Sequence, residues 1–259
     1  MAKIYAIANQ KGGVGKSTTA QSLAAGLYDL GKKVLLIDLD PQSNLSVLCG
    51  ATTDDKDSNV VTMLEILVGE QPLSAGIQNK DKYDIIPASM FVASIDGRLT
   101  DPISKPFKLQ ETLKGKVNKY DVVIIDTPPA LGTITANAII AADEVIMPAQ
   151  ADVLSLQGVS QLYNTIETAR GYCNKKLKVT GILLTRYNER TRLSKDLTLM
   201  FENAAAQMSS KVFKNKIRDN TAVKEAQATG QDIFTYDKKC NAAKDYRALI
   251  NEIFVEEVE

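Results

Sequence analysis

The stretch KGGVGKST, residues 11 to 18, sets three glycines between two lysines and follows the second lysine with two hydroxyl residues. It lies between an apolar run, IYAIAN, and a helix-forming one, TTAQSLAAGLYDL, so it joins a strand to a helix N-terminus. Gly12, Gly13 and Gly15 let the backbone bend until successive N–H groups point at one anion, and the helix start adds partial positive charge. The candidate phosphate cradle therefore runs through Lys11, Gly12, Gly13, Val14, Gly15, Lys16, Ser17 and Thr18. In such a loop Lys16 neutralises β- and γ-phosphates and the Ser17 hydroxyl ligates Mg²⁺.

Two further stretches supply carboxylates. LLIDLDPQSN (35–44) ends an apolar run with Asp38 and Asp40 two residues apart, so both project the same way if the strand persists. YDVVIIDTPPALG (120–132) ends an apolar run with Asp126, a hard oxygen ligand suited to Mg²⁺ or to a water on it. Pro128 and Pro129 stiffen the turn that follows. Histidine is absent, which removes imidazole bases and Ser-His or Cys-His triads. Cys49, Cys173 and Cys240 form no CxxC pair, so they read as reduced and structural, without zinc or a disulfide framework.

The elements that must position these groups are legible as apolar runs at residues 3–8, 33–38, 83–88, 120–126, 144–149 and 179–185. They are apolar throughout, as parallel strands covered on both faces are. Between them, residues 17–30, 156–170 and 194–208 carry apolar side chains at helical spacing. The fold class that follows is α/β, a doubly wound, mostly parallel sheet with helices on both faces and its ligands at the carboxyl edge. Ordinary composition over 259 residues predicts one domain spanning 1–259, with surface loops at 51–58 and 98–108. No stretch offers a cleavable leader or 18 uninterrupted apolar residues, which predicts a cytoplasmic protein.

The usual phosphate-loop spacing, GxxxxGK[ST], would place glycine where this chain has Gln10, and a lysine follows it. This pattern resembles the deviant Walker A motif of the ParA/MinD family of P-loop ATPases. The similarity continues through DLDPQ, IIDTPP, LLTRYNERTRLSKDL and VFKNKIRDNTAVKEAQATG to the small, Soj-like ParA branch. The resemblance implies a Mg²⁺-dependent ATPase that forms a homodimer on ATP, with Lys11 reaching the triphosphate of the opposite subunit. It further implies that Lys11, Lys16 and Asp40 are catalytic, with Asp40 orienting the attacking water, and that Ser17, Asp38 and Asp126 serve the metal. Arg218, Asp219 and Asn220 would cradle the adenine. A cation supplied in trans would also couple nucleotide binding to dimerisation.

The same resemblance implies non-specific DNA binding, nucleoid association and a ParB-like centromere-binding partner, serving segregation of plasmid, chromosome or mobile-element DNA. No helix-turn-helix domain is expected before the loop. Net charge is zero, yet Arg170 to Lys224 holds thirteen basic and four acidic residues, a local excess of +9. Phosphate contacts need only such charge, and Arg190, Arg192, Lys195 and Lys224 are the candidate DNA residues. A MinD-like regulator would end in a basic membrane helix, whereas the last residues here, LINEIFVEEVE, are acidic, so no membrane partner is expected. A P-loop metabolic synthase is the other alternative, and the DLDPQ segment argues against it.

Overall fold

Each central strand is apolar on both sides because it serves two cores at once. Successive side chains of a strand point to opposite faces: Ala6, Leu35, Ile37, Val123 and Ile125 enter one core, while Tyr5, Ile7, Leu36, Val122 and Ile124 enter the other. The computed structural model describes residues 1–53 and 59–255. Its strands are β1 Lys3–Ile7, β2 Val34–Asp38, β3 Gln78–Asn79, β4 Asp84–Ile86, β5 Val122–Asp126, β6 Glu144–Gln150 and β7 Lys178–Thr185. They form one seven-stranded sheet in the order β3-β4-β2-β5-β1-β6-β7. Every pair is parallel except the short β3 against β4.

The helices are α1 Lys16–Asp29, α2 Asn44–Leu48, α3 Met63–Leu67, α4 Ile95–Arg98, α5 Lys108–Leu113 and α6 Thr133–Ala141, then α7 Val153–Tyr172, α8 Arg192–Gln207, α9 Thr221–Ala228, α10 Ile233–Tyr236 and α11 Asn241–Phe254. Leu64, Leu109, Ile139, Leu162 and Phe201 bring α3, α5, α6, α7 and α8 onto the first core. Leu23, Leu45, Ala226, Ile233 and Leu249 bring α1, α2, α9, α10 and α11 onto the second. The chain leaves β1 for β2 on one side and later lays β6 on the other. This reversal opens a crevice at the carboxyl end of β1, where doubly wound sheets bind ligands.

The six apolar runs all form strands, and the three helical stretches are α1, α7 and α8. Helix α7 starts three residues before the expected position because Asp152 caps it, accepting from Ser155 N–H. The polar β3 has no apolar signature and is found only through its pairing with β4. The expected loop at 98–108 is partly helical, since α4 ends at Arg98, a 3₁₀ turn covers Lys105–Phe107 and α5 starts at Lys108. Asn137 holds this segment to α6, donating to the Lys105 carbonyl and accepting from Leu109 N–H. Residues 54–58 of the other expected loop, and 256–259 of the acidic tail, lie outside the described residues. Glu252 departs from the picture of an anionic tail. It is buried and accepts from the N–H groups of Lys214 and Asn215 and from the Asn215 side chain. Among the described residues no helix is long and apolar enough to cross a membrane.

Phe213 closes one end of the second core, 1% exposed, with its N–H on the Ile182 carbonyl. A Cβ on Gly181 would sit 2.7 to 2.9 Å from its ring atoms. Gly181→Ala is expected to cost about 1–3 kcal/mol in urea unfolding, and Phe213→Leu in the same chain should recover part of the loss.

Candidate active site

The loop between β1 and α1 is built from backbone that only glycine adopts freely. Gly13 and Gly15 have φ of +74° and +85°, and Gly15 forms the left-handed N-cap of α1. Side chains from neighbouring strands fix the loop from outside. Asn9 is buried, donates to the Pro148 carbonyl at 2.6 Å and accepts from Lys11 N–H at 2.9 Å. Gln150 Nε2 donates to the Gly13 carbonyl and the Thr185 hydroxyl to the Val14 carbonyl. The carboxyl ends of β6 and β7 therefore hold the loop against β1. In front of it lies a cleft of about 450 Å³ that Gly12, Gly13, Lys16, Ser17, Thr18 and Asp40 help to line. Nothing lies within 4 Å of a Cβ built on Gly12 or Gly13.

The two lysines of the loop have opposite surroundings. Lys16 is 7% exposed and its Nζ donates to the Lys11 carbonyl at 3.3 Å. Burial lowers its pKa, against the raising effect of Asp126 and Asp40. Lys11 is half-buried and its Nζ pairs with Asp152 Oδ2 at 2.6 Å. Burial would raise the Asp152 carboxyl, yet the Lys11 ammonium and the Ser155 N–H hold it below the usual range. Lys11 is thus held within its own chain, at the first turn of α7.

Asp38 and Asp126 are lateral neighbours at the ends of β2 and β5. The strand stops at Asp38, so the shared-face geometry expected for Asp38 and Asp40 does not hold. Asp38 instead turns inward and organises the next loop, accepting from Asp40 N–H, Ser46 N–H and the Ser46 hydroxyl. Burial raises its pKa to about 6 in spite of those three donors. Asp40, released from the strand, lines the cleft and accepts from Gln42 N–H. Asp126 is fully buried, and neither of its oxygens has a hydrogen-bond partner of normal geometry. Burial and then the Asp38 charge push its carboxyl well up, while the Ser17 hydroxyl and Lys16 ammonium pull it down.

Such an orphaned carboxylate beside a serine hydroxyl fits a magnesium site, because buried charge without a partner is costly and Mg²⁺ takes hard oxygens. Among the described residues no three Asp, Glu, Cys or His side chains form a ready-made cation cluster. Phosphate oxygens and waters would complete the shell.

Arg218, Asp219 and Asn220 gather at a second pocket that adjoins Gly15 and Thr18. The Ile217 N–H and carbonyl pair with Leu184 and Tyr187. Asn220 caps α9 through Ala222 N–H, and Arg218 is locked to Asp245 by its backbone and its guanidinium. Gln227 on α9 donates to the Thr18 hydroxyl at 2.9 Å. Of the candidate DNA residues, Arg190, Arg192 and Lys195 are exposed together around the start of α8. Lys224 lies apart from them, exposed on α9 at the rim of the pocket beside Asn220. Asn9, Ser46, Asp152, Thr185 and Gln227 escaped the sequence reading because each makes a bond to a residue more than forty positions away. Local signal was confined to Asn9, which accepts from Lys11 N–H two residues on, and to Asp152, an N-cap residue for α7.

A sequence profile for the family described as AAA domain matches residues 2–179. The chain is 37% identical to the sporulation initiation inhibitor protein Soj of Bacillus subtilis, covering 98% of each chain. It is 36% identical to the chromosome partitioning protein ParA of Caulobacter vibrioides, over 98% of this chain and 95% of that one. Among solved structures, cobyrinic acid a,c-diamide synthase from Mycobacterium smegmatis, with an ATP analogue and magnesium bound, superposes with a TM-score of 0.83. It is 32% identical and the match covers 97% and 93% of the two chains.

Ser46 is the side chain on which the carboxylate arrangement leans, since its hydroxyl also accepts from Ala88 N–H. Ser46→Ala removes a donor from a buried carboxylate and orphans an amide. We expect a loss of about 2–3 kcal/mol in urea unfolding at neutral pH.

Proposed function

The chain belongs to the family of Soj and ParA partition ATPases, and from that premise we propose that it is a Mg²⁺–ATP-dependent, dimerising ATPase that segregates DNA. The observation that carries the proposal is the asymmetry of the two lysines in one loop. Lys16 is buried against Asp126 and Asp40, and Lys11 is tethered at the cleft's outer side by one half-exposed ion pair.

In the proposed cycle the amides of Gly12, Gly13, Val14, Gly15, Lys16, Ser17 and Thr18 cradle the ATP phosphates, and Lys16 sits on the β- and γ-oxygens. The adenine lies against Arg218, Asp219 and Asn220. Ser17 and Asp126 hold Mg²⁺, which when bound screens the triphosphate and spreads its developing charge. Asp38 fixes the loop of Asp40 through their hydrogen bond. Asp40 orients the water that attacks the γ-phosphorus and accepts its proton as the bond to the ADP oxygen breaks. Lys11 leaves Asp152 and crosses to the other subunit's triphosphate, which makes ATP the link between subunits. After hydrolysis that attraction weakens and the dimer loosens.

Residues 1–259 act as one ATPase domain in this reading, cytoplasmic and associated with the nucleoid. Arg190, Arg192 and Lys195 supply sequence-independent phosphate contacts, with Lys224 nearer the nucleotide, and a ParB-like protein stimulates turnover. Support for partition comes from the Soj and ParA relatives. The name of the mycobacterial structure favours a second reading, a synthase that uses the same loop to bind ATP for amide formation on a carboxylic acid. Phosphate release in that case would need the acid and be indifferent to DNA.

Lys11→Ala is expected to abolish ATP-dependent dimerisation in light scattering while monomer nucleotide affinity stays within about threefold; dimers that persist would remove the trans role. Asp40→Ala should give an ATP dimer that remains on DNA, with phosphate release lowered by about 10²-fold or more. Normal turnover in that variant would exclude Asp40 from the reaction.

A further inference from the structure

A second cavity lies away from the phosphate loop, at the amino ends of the strands. It is an open cleft of about 500 Å³ at the starts of β2, β4 and β5, a volume in the range of small-molecule pockets. These strands are adjacent and parallel, with Leu35 opposite Asp84 and Val34 opposite Val122. Their lead-in segments, GKKV, KDKYD and NKYD, therefore converge on one edge. Gly31, at φ +76°, ends α1 and turns the chain so that Lys32 and Lys33 enter β2 there. Lys80, Lys82 and Lys119 arrive from the neighbouring segments. A strand of five residues spans roughly 17 Å, so this edge is well separated from the phosphate loop.

Five ammonium groups face Asp81 and Asp84 in this lining, and a third carboxylate, Asp121, adjoins it and accepts from Lys33 N–H. Asp84 is already engaged: Asn79 and the Tyr120 hydroxyl donate to it and Lys119 lies 3.6 Å away. Lys82 is committed to Asp232 and Thr235, and Lys80 donates to the Gly50 carbonyl. Lys32 and Lys33 are exposed, and neither ammonium pairs with a carboxylate among the described residues. Burial raises the pKa of Tyr83 and Tyr120, so both phenols stay neutral and add no negative charge. The ring of Tyr28, 46% exposed, stands at the same cavity.

We propose that this cleft is a second ligand site, for a small phosphorylated anion carrying a flat ring, of the nucleoside polyphosphate class. Lys32 and Lys33 meet the phosphates as their first counter-charge, Lys80 and Lys119 flank them, and Tyr28 offers a face on which a base stacks. A concave site of bounded volume suits a small ligand better than a duplex, whose phosphates need an extended row of cations. The site is independent of the reaction proposed at the phosphate loop, and its test is arranged to stay so.

The experiment is an amide NMR titration of the whole chain with the phosphate loop saturated by Mg²⁺–ADP. Inorganic tripolyphosphate probes the lysines, and GTP probes the lysines together with the ring. Saturable shifts are expected at Tyr28, Lys32 to Val34 and Lys80 to Asp84, with GTP the tighter of the two. Lys32→Glu with Lys33→Glu should weaken both probes at least tenfold while ADP affinity is retained, which also reports that the variant is folded. The paired Lys→Gln variant should weaken them less. Tyr28→Ala should bring GTP down to the level of tripolyphosphate. Absence of saturable shifts in this region at millimolar probe, or binding indifferent to the charge reversals, would overturn the proposal. So would a response to a short DNA duplex alone, which would make the edge a DNA surface.

Discussion

The structure depends on an imbalance of buried charge. Asp38, Asp40 and Asp126 converge at the carboxyl edge of the sheet, and among the described residues the one ammonium buried with them is that of Lys16. Carboxylates in a dry site repel one another and lose their hydration, which is why burial drives Asp38 and Asp126 upward. The protein relieves Asp38 with three donors and leaves Asp126 with none of normal geometry. One carboxylate has thereby become a fixture of the scaffold and the other is available to a cation. Their positions are opposite one another on adjacent strands, so the division of labour comes from the loops that follow.

Strand order makes this convergence possible. Because β1 lies between β5 and β6, its terminal loop can be tied from β6 and β7 on one side while the carboxylates of β2 and β5 approach from the other. The loop is held at Asn9, Gly13 and Val14 by Pro148, Gln150 and Thr185 respectively, all from the side of β6 and β7. Around Gly12 and Gly13 no atom lies within 4 Å of where a Cβ would be, so the backbone there is open to the cleft. A loop fixed in this way loses little conformational freedom when a ligand binds.

The sequence discloses what is local and periodic. Apolar runs mark six strands, and the glycine and lysine spacing marks the loop, because strand burial and phosphate cradling leave patterns within a few residues. The short β3 is legible only from its partner, and the 98–108 segment reads as loop because Asn137, some thirty residues later, supplies the bonds that fold it. Glu252 reads as solvated charge in an acidic stretch, although it is a buried acceptor for the backbone at Lys214 and Asn215. The carboxylates of the site are legible as residues but their orientations are not. Asp38 and Asp40 look equivalent by spacing, and the end of β2 between them separates one from the other. Asp152 has no sequence signature for pairing with Lys11, since 141 positions lie between them.

The carboxylate of Asp152 is shared between two tasks. Oδ1 accepts from Ser155 N–H at the head of α7, and Oδ2 holds Lys11. Departure of the lysine therefore does not unwind the helix, whose cap remains in place. A half-exposed pair of this kind contributes about 0–1 kcal/mol, so thermal motion alone breaks it often. A latch so weak stores almost no energy; it parks the Lys11 ammonium at the head of α7 without fixing it there.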